Sequence, residues 1–352
     1  MRDKSNGNRN SRSNRSVQSI DGPRTTEKGF PAHIHQGYPT ETLARFLKAR
    51  EGNVTKAHKM LVDSLKWRVE SEIENMLAKP IVPTDLYRAV RDSQLIGLSG
   101  YSREGSVRLT KHLFGEATFR LMVRLVEGCK HVVHYYVQSH IQINEYRDCV
   151  ILPSATKKYG RHISKCLKVL DMTGLKLSAL SQIKLLSIIS TIDDLNYPEK
   201  TLTYYIVNAP YIFSACWKVV KPLLHERTRK KIQVLSGSGQ DDLLKIMDYA
   251  SLPHFCRREG SGSSKHSQNA TVNCYSLDHP FHQALYNYIK QQHSIRGPGG
   301  PIKQGSAHVG HPDLAVEEVD IAKTLEAELL HLDNRDGLHG SLGDLKINDD
   351  QK

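Results

Sequence analysis

From Thr40 the apolar residues fall into a helical period. Leu43, Phe46, Leu47 and Arg50 sit at i, i+3, i+4 and i+7, the spacing of one helix face. Thr40 is suited to cap this helix, because a threonine hydroxyl can accept from the free N–H groups of a first turn. Gly52-Asn53 breaks the run. Ala57, Met60, Leu61, Ser64 and Leu65 then predict a second helix that closes near Trp67, and Pro80 and Pro83 end a small helical unit. Further along the period shortens. LKVLDM (167–172), TYYIVN (203–208) and KIQVL (231–235) read as buried strands. Between and after them lie helices from Leu180 to Leu195, from Tyr211 to Leu224 and around Leu243–Met247. The first of these is apolar nearly all round, so a buried position is expected. The alternation predicts an α/β fold with a mixed or parallel sheet flanked by helices. After Phe255 the chain turns to GSGSSKHSQN, a linker composition, with one helix expected at Phe281–Ile289 and a weaker one at Ala315–Leu332.

Charge adds a partner class. The 352 residues carry a net charge of +12. Residues 1–36 hold seven Lys/Arg against three Asp/Glu, and residues 296–352 hold six against eleven. The ends therefore contribute +4 and −5, which leaves +13 on the part expected to fold. Such a surplus suits phospholipid headgroups, nucleic acid or another polyanion. No run approaches the roughly 18–20 apolar residues of a membrane span. The N-terminal 36 residues are polar, basic and aperiodic, and are expected to be disordered. Six scattered cysteines without a C-x-x-C pair suit free thiols in a reducing compartment.

Several chemistries lack their residues. His131 and His134 share a helix face but His140 lies opposite, so no metal site is expected. LSGSGQ is followed by two aspartates that repel phosphate, and reads as a turn. Asp193-Asp194 are neighbours on a helix, whose side chains diverge, and read as a solvated face. No G-x-S-x-G, H-E-x-x-H or Walker A pattern is present. ERTRKK (226–231) would serve nucleic acid, but no aromatic residues interleave with it as a stacking platform needs. The expectation is a protein that is not an enzyme, with no cofactor and no metal.

RFLKAR (45–50), NYPE (196–199), YIVNAPYIF (205–213), W-x-x-V-K-P-L-L (217–224), T-x-x-K-I-x-V-L (228–235) and LLKIMD (243–248) occur in order. In this combination the chain resembles the CRAL-TRIO lipid-transfer family, of the phosphatidylinositol/phosphatidylcholine transfer kind, over roughly residues 37–258. The resemblance implies a lipid cavity beside the sheet, a small all-helical N-terminal unit, and a gating helix here carrying Phe213, Trp217 and Val220. It implies a headgroup site at Arg50, Glu199, Thr228 and Lys231, where cations neutralise a phosphodiester and Glu199 meets inositol hydroxyls or holds Lys231. It places Cys166 and Lys168 where dual-specificity members hold a choline headgroup with small hydroxyl residues. A cation at 168 predicts weak phosphatidylcholine binding.

The implied organisation is a basic tail (1–36), a helical unit (37–79), a lipid-binding domain (84–258) and a linker with a mostly disordered tail (259–352). Segment 106–130 departs from the family. A G-x-P-V strand is expected there, but only Gly105 is kept, so an interrupted sheet strand is expected. The family closes with LP-x-x-x-G-G, where this chain has Cys256-Arg257-Arg258. The expected function is phosphatidylinositol binding and transfer, or lipid presentation for phosphoinositide signalling and trafficking. The expected partners are phosphatidylinositol, other phospholipids and, transiently, an anionic membrane surface. The protein is expected to be a cytoplasmic monomer, peripheral to Golgi or other endomembranes. A non-transferring lipid sensor or scaffold is the alternative, and a basic nucleic-acid binder the more distant one.

Overall fold

The structure is a computed structural model that describes residues 39–94, 96–112, 131–175, 183–257 and 273–297. The basic tail, the 113–130 part of the departing segment, the 259–272 linker, the 315–332 helix and the acidic tail lie outside the described residues.

Helix α1 (Pro39–Ala49) and helix α2 (Val54–Glu70) form the N-terminal pair. Thr40 lies inside α1, so it is not the cap. The buried face of α1 is Thr42, Arg45, Phe46 and Ala49, not the Leu43–Leu47 stripe that the period favours. Leu43 is 46% exposed. The rotation follows from Arg45, whose guanidinium turns inward to donate to the Pro198 carbonyl at 3.1 Å. Asn53 caps α2 by accepting from the Lys56 N–H at 2.9 Å. The second face is as expected, with Ala57, Met60, Leu61 and Ser64 buried.

After α3 (Thr84–Gln94) the chain enters a five-stranded sheet of order β1-β2-β3-β4-β5. Strand β1 (Ile96–Tyr101) turns through Gly105, at φ +76°, into β2 (Val107–His112). These two pair antiparallel. Helix α4 (His131–Tyr146), a wide turn (Arg147–Ile151) and α5 (Leu152–Tyr159) lead to β3 (Cys166–Asp171), which is parallel to β2. Helix α6 (Ile183–Asn196) precedes β4 (Thr201–Val207). Helix α7 (Phe213–Val220) and the short α8 (Glu226–Arg229) precede β5 (Ile232–Val234), and the remaining pairs are parallel. Helices α9 (Gln240–Ile246) and α10 (Pro280–Arg296) complete the fold. The mixed α/β class is as expected. The interrupted strand is not. Val107–His112 pairs on both edges, so its backbone groups are satisfied without the G-x-P-V sequence.

Strand alternation divides the core. Val169 and Val207 point to one face and pack with Leu243, Met247, Leu252 and Cys256. Leu170 and Ile206 point to the other and pack with Met172, Phe213, Cys216 and Val219. Helix α10 closes the far end through His282. Arg91 donates to His282 Nδ1 at 2.7 Å, and His282 Nε2 donates to the Cys274 carbonyl at 3.1 Å. Arginine can only donate, so the neutral Nε2–H tautomer is fixed.

Burial, with Arg91 beside it, pushes His282 down to about 3. The unfolded chain takes up a proton near pH 6.5 that the folded chain refuses. This contribution to stability is therefore complete above about pH 6.5 and declines as pH falls from there towards 3. The denaturation midpoint is expected to fall between pH 7 and pH 5, and to fall less in His282→Gln, whose amide can keep both hydrogen bonds. Urea titrations at the two pH values check this, and equal slopes in parent and variant would refute it.

Candidate functional site

The cavity face of the sheet carries Lys168, Leu170, Met172, Tyr204 and Ile206. Opposite stand Ile143 of α4, Leu186 and Ile189 of α6, and Phe213, Cys216, Trp217 and Val220 of α7. Together they enclose a cavity of about 200 Å³ whose walls are mainly apolar. Phe213 and Trp217, one turn apart, stack with ring centres 6.0 Å apart. The three residues expected on the gating helix therefore all line this space.

One end of the cavity is polar and charged. Asp193 Oδ1 accepts from Asn144 Nδ2 at 2.7 Å and lies 2.8 Å from His140 Nε2. Its Oδ2 meets the Lys168 ammonium at 3.5 Å, and that ammonium lies 5.3 Å from the Tyr204 ring centre. Burial opposes both charges. Tyr204 and Asp193 nevertheless hold the Lys168 ammonium above its ordinary range, and His140 and Lys168 hold the Asp193 carboxyl below its own. Asp194 differs. Burial, then repulsion from Asp193, pushes it up to about 6, and Thr228 Oγ1 donates to it at 3.3 Å. The solvated face expected for Asp193-Asp194 is thus overturned. Both residues line the cavity and also the polar chamber next door.

That chamber lies beneath the YPE corner. Lys168, Asp193, Asp194, Tyr204 and Thr228 line both spaces. Glu199, 9% exposed, adopts a left-handed φ of +59°, uncommon for a non-glycine residue. Its Oε2 accepts from Lys231 Nζ at 2.9 Å and lies 3.4 Å from Lys48 Nζ, while Arg227 Nε is 3.9 Å from Oε1. Burial works against the charge, but the Lys231 ammonium, helped by Lys48, holds the Glu199 carboxyl below its ordinary range.

Glu199, Thr228 and Lys231 therefore share one chamber. Arg50 lines a separate groove with Met60, Trp67 and Leu195, and its Nη1 donates to the Ala49 carbonyl at 3.1 Å. Burial and Arg227, itself a lining residue of the chamber, lower its pKa. Lys168 faces the cavity, as period-2 alternation from Leu170 requires. Cys166 packs instead with Val107, Leu109 and Leu152, its thiol 3.5 Å from the Lys200 carbonyl. Sequence reasoning passed over Arg147, Lys200 and Arg227, all of which line the chamber. Lys200 adjoins the YPE motif and Arg227 lies within ERTRKK, so both had a local signal. Arg147 had none.

The sequence profile of the CRAL/TRIO domain matches residues 110–256, and that of the CRAL/TRIO N-terminal domain matches residues 16–63. The chain belongs to the CRAL-TRIO family. It is 29% identical over 234 residues to the phosphatidylinositol/phosphatidylcholine transfer protein SFH9 of Arabidopsis thaliana, covering 64% of this chain and 39% of that protein. It is 29% identical over 222 residues to the SEC14 cytosolic factor of Eremothecium gossypii, covering 60% and 67%. It is also 29% identical over 277 residues to the CRAL-TRIO domain-containing protein T23G5.2 of Caenorhabditis elegans, covering 77% and 36%. The chain thus spans well under half of two of these three relatives. The crystal structure of Sfh5 superposes with a TM-score of 0.48 at 22% identity, over 73% of this chain and 83% of that one.

The Lys168–Asp193 pair is testable by itself. Removing either partner leaves the other charge partly buried without its counter-ion, which costs more than losing both. Lys168→Met and Asp193→Asn should each destabilise the protein, and the double variant by less than the sum. A coupling of about 0.5–3 kcal/mol is expected from denaturation of the four proteins, and strict additivity would dissolve the pair.

Proposed function

We propose that this protein binds a phospholipid, phosphatidylinositol foremost, and carries it between membranes or presents it to phosphoinositide-using enzymes. The observation that carries the reading is the adjacency of the two spaces, an apolar cavity sharing five wall residues with a cationic chamber. A two-chain amphiphile with an anionic headgroup needs both. Each buried methylene gains about 0.8 kcal/mol, so roughly thirty of them gain about 25 kcal/mol over water. That is the scale a bilayer also offers, so exchange is close to balanced and is controlled by access. Helix α7, with Phe213, Trp217 and Val220, acts as the gate. The headgroup meets Thr228 and Lys231, with Glu199 orienting Lys231 and Arg50 at the rim. Bound phospholipid is the ligand, and no further cofactor is needed for a cycle of binding and release. Among the described residues no helix is long and apolar enough to cross a membrane. Contact with the bilayer is then transient, made from the cytoplasm by a monomer with a basic surface.

Mass spectrometry of lipid extracted from the purified protein should find phosphatidylinositol. Lys231→Ala and Glu199→Lys should each abolish its transfer between vesicles while shifting the melting temperature only a few degrees. Transfer loss that merely tracks melting temperature would make the cluster a structural ion network.

Choline lipids face a different wall. A quaternary ammonium entering the cavity meets the Lys168 cation, and the carboxylate that could attract it is already engaged. Phosphatidylcholine exchange should be far slower than phosphatidylinositol exchange. Lys168→Thr removes the repulsion and leaves Asp193 facing the cavity, so it should gain choline-lipid exchange. Equal exchange of both lipids by the parent protein would defeat this account.

A further inference from the structure

A third space lies apart from the cavity and the chamber and shares no lining residue with either. It is a groove of about 420 Å³ between α2 and the end of α6. Met60 and Trp67 of α2 and Leu195 of α6 give it apolar walls. Leu195 is 37% exposed, so this wall is open from outside. Three cations, Arg50, Lys56 and Lys59, stand beside it against one carboxylate, Asp63. Lys59 and Asp63 pair at 2.6 Å on the surface, where such a pair is worth little and exchanges readily. The groove therefore keeps a surplus of positive charge around an apolar floor. That combination suits an acidic amphipathic segment.

The chain itself carries such a segment. Residues 313–333 hold seven Asp/Glu against one Lys/Arg. Ile321, Leu325 and Leu332 recur at i, i+4 and i+11, a single stripe at the helical period, and Glu318 and Glu328 border it. Other stretches outside the described residues have the wrong charge. Residues 1–36 and 113–130 each carry a net positive charge, which the groove repels. Position agrees as well. At the end of α10, Arg296 donates to the Glu74 carbonyl at 2.6 Å and to Asn75 Oδ1 at 3.1 Å. Glu74 and Asn75 belong to the turn Ile73–Ala78 that follows α2, and Trp67 packs on Ile73 and Met76 of that turn. Helix α10 thus delivers the chain to the apolar end of the groove. Asp313 lies sixteen residues beyond Gly297, a reach of up to about 55 Å. From Trp67 to Lys56 the groove follows α2 for about 16 Å, so all of it is within reach.

We propose that the acidic segment 313–333 docks in this groove of its own chain. Its apolar stripe meets Met60, Trp67 and Leu195, and its carboxylates meet Arg50, Lys56 and Lys59. The tether holds the segment at a local concentration on the order of millimolar, so a shallow contact is enough to seat it. Once seated, it screens the positive charge of this face from other anions, a membrane surface included. The inference stands apart from the phospholipid reading, because it needs neither the cavity nor the chamber.

The test treats the full chain with a carbodiimide, which joins a lysine amine to a carboxylate with loss of water. Linked peptides are read by mass spectrometry. An equal mixture of unlabelled and nitrogen-15-labelled chains separates links within one chain from links between copies. Lys56 and Lys59 are expected to join carboxylates of 313–333 at least fivefold more than Lys290, which is exposed and nearer along the chain. Ile321→Ser with Leu325→Ser is expected to lower those links at least fivefold at an unchanged melting temperature. Leu195→Ser is expected to lower them at least twofold from the groove side. Equal linking of Lys290 and the groove lysines, or links that survive either variant, overturns the docking. Links found only between labelled and unlabelled chains assign the groove to a second copy and overturn docking within one chain. Groove lysines that form no such links, and that only phosphatidylserine vesicles shield from an amine-reactive label, assign the face to a membrane and overturn it too. Should Leu195→Ser fail to fold, the variant in the segment, read against Lys290, decides, since it leaves the groove intact.

Discussion

The wide turn at Arg147–Ile151 is the constraint on which the site depends. Pro153 has no N–H to return to the Cys149 carbonyl, and the backbone answers by widening, with the Leu152 N–H reaching Arg147 O five residues back. In a regular helix Arg147 and Asp148 would diverge by 100°. Here both are buried, at 1% exposure each. Two residues upstream, Glu145 receives Arg68 through two bonds of 3.1 Å and the Tyr197 hydroxyl at 2.5 Å. One short segment therefore ties α2 of the helical unit, the YPE corner and the floor of the chamber together. Extra residues in a helix are frequent at functional sites, and this one turns three charged side chains inward at once.

Burying so many charges is not a way to gain stability. Such pairs at best offset their own desolvation. Their effect is to fix geometry. Arg45 reaching Pro198 O, Lys48 and Lys231 reaching Glu199, and Arg68 reaching Glu145 all fasten one corner, residues 197–199, whose backbone includes a left-handed glutamate. The corner joins α6, which carries Asp193 and Asp194, to β4, which carries Tyr204. A shift of that corner would move both walls of the site together.

The sequence made the larger plan readable. Three strand runs and the helices between them appear within a few residues of their expected places, because short apolar runs and helical periods report burial directly. What stayed hidden has particular causes. The inward turn of α1 depends on an arginine meeting a carbonyl 153 positions away, which no local period reveals. Asp193-Asp194 looked solvated because adjacent helix positions diverge, yet both side chains line the cavity and the chamber and are partly buried there. Val107–His112 looked foreign because it lacks the family's proline, although β-branched and apolar residues alternate through it well enough to pair. Arg147 and Asp148 were invisible because a widened turn breaks the 3.6-residue arithmetic on which their faces would be judged.

On the phospholipid reading proposed above, the division between the two spaces would let a few residues set selectivity. An apolar cavity ranks acyl chains only weakly, since one methylene changes the balance by about 0.8 kcal/mol. Charges at its polar end act more sharply, because a low-dielectric surround strengthens both attraction and repulsion. Lys168 and Asp193 stand where cavity and chamber meet, so any headgroup that enters meets a dipole already oriented by Asn144 and His140. Asp194, with its carboxyl raised to about 6, is the softest charge at that junction. Burial and the neighbouring Asp193 charge make it the easier of the two to protonate, while His140 and Lys168 hold Asp193 ionised.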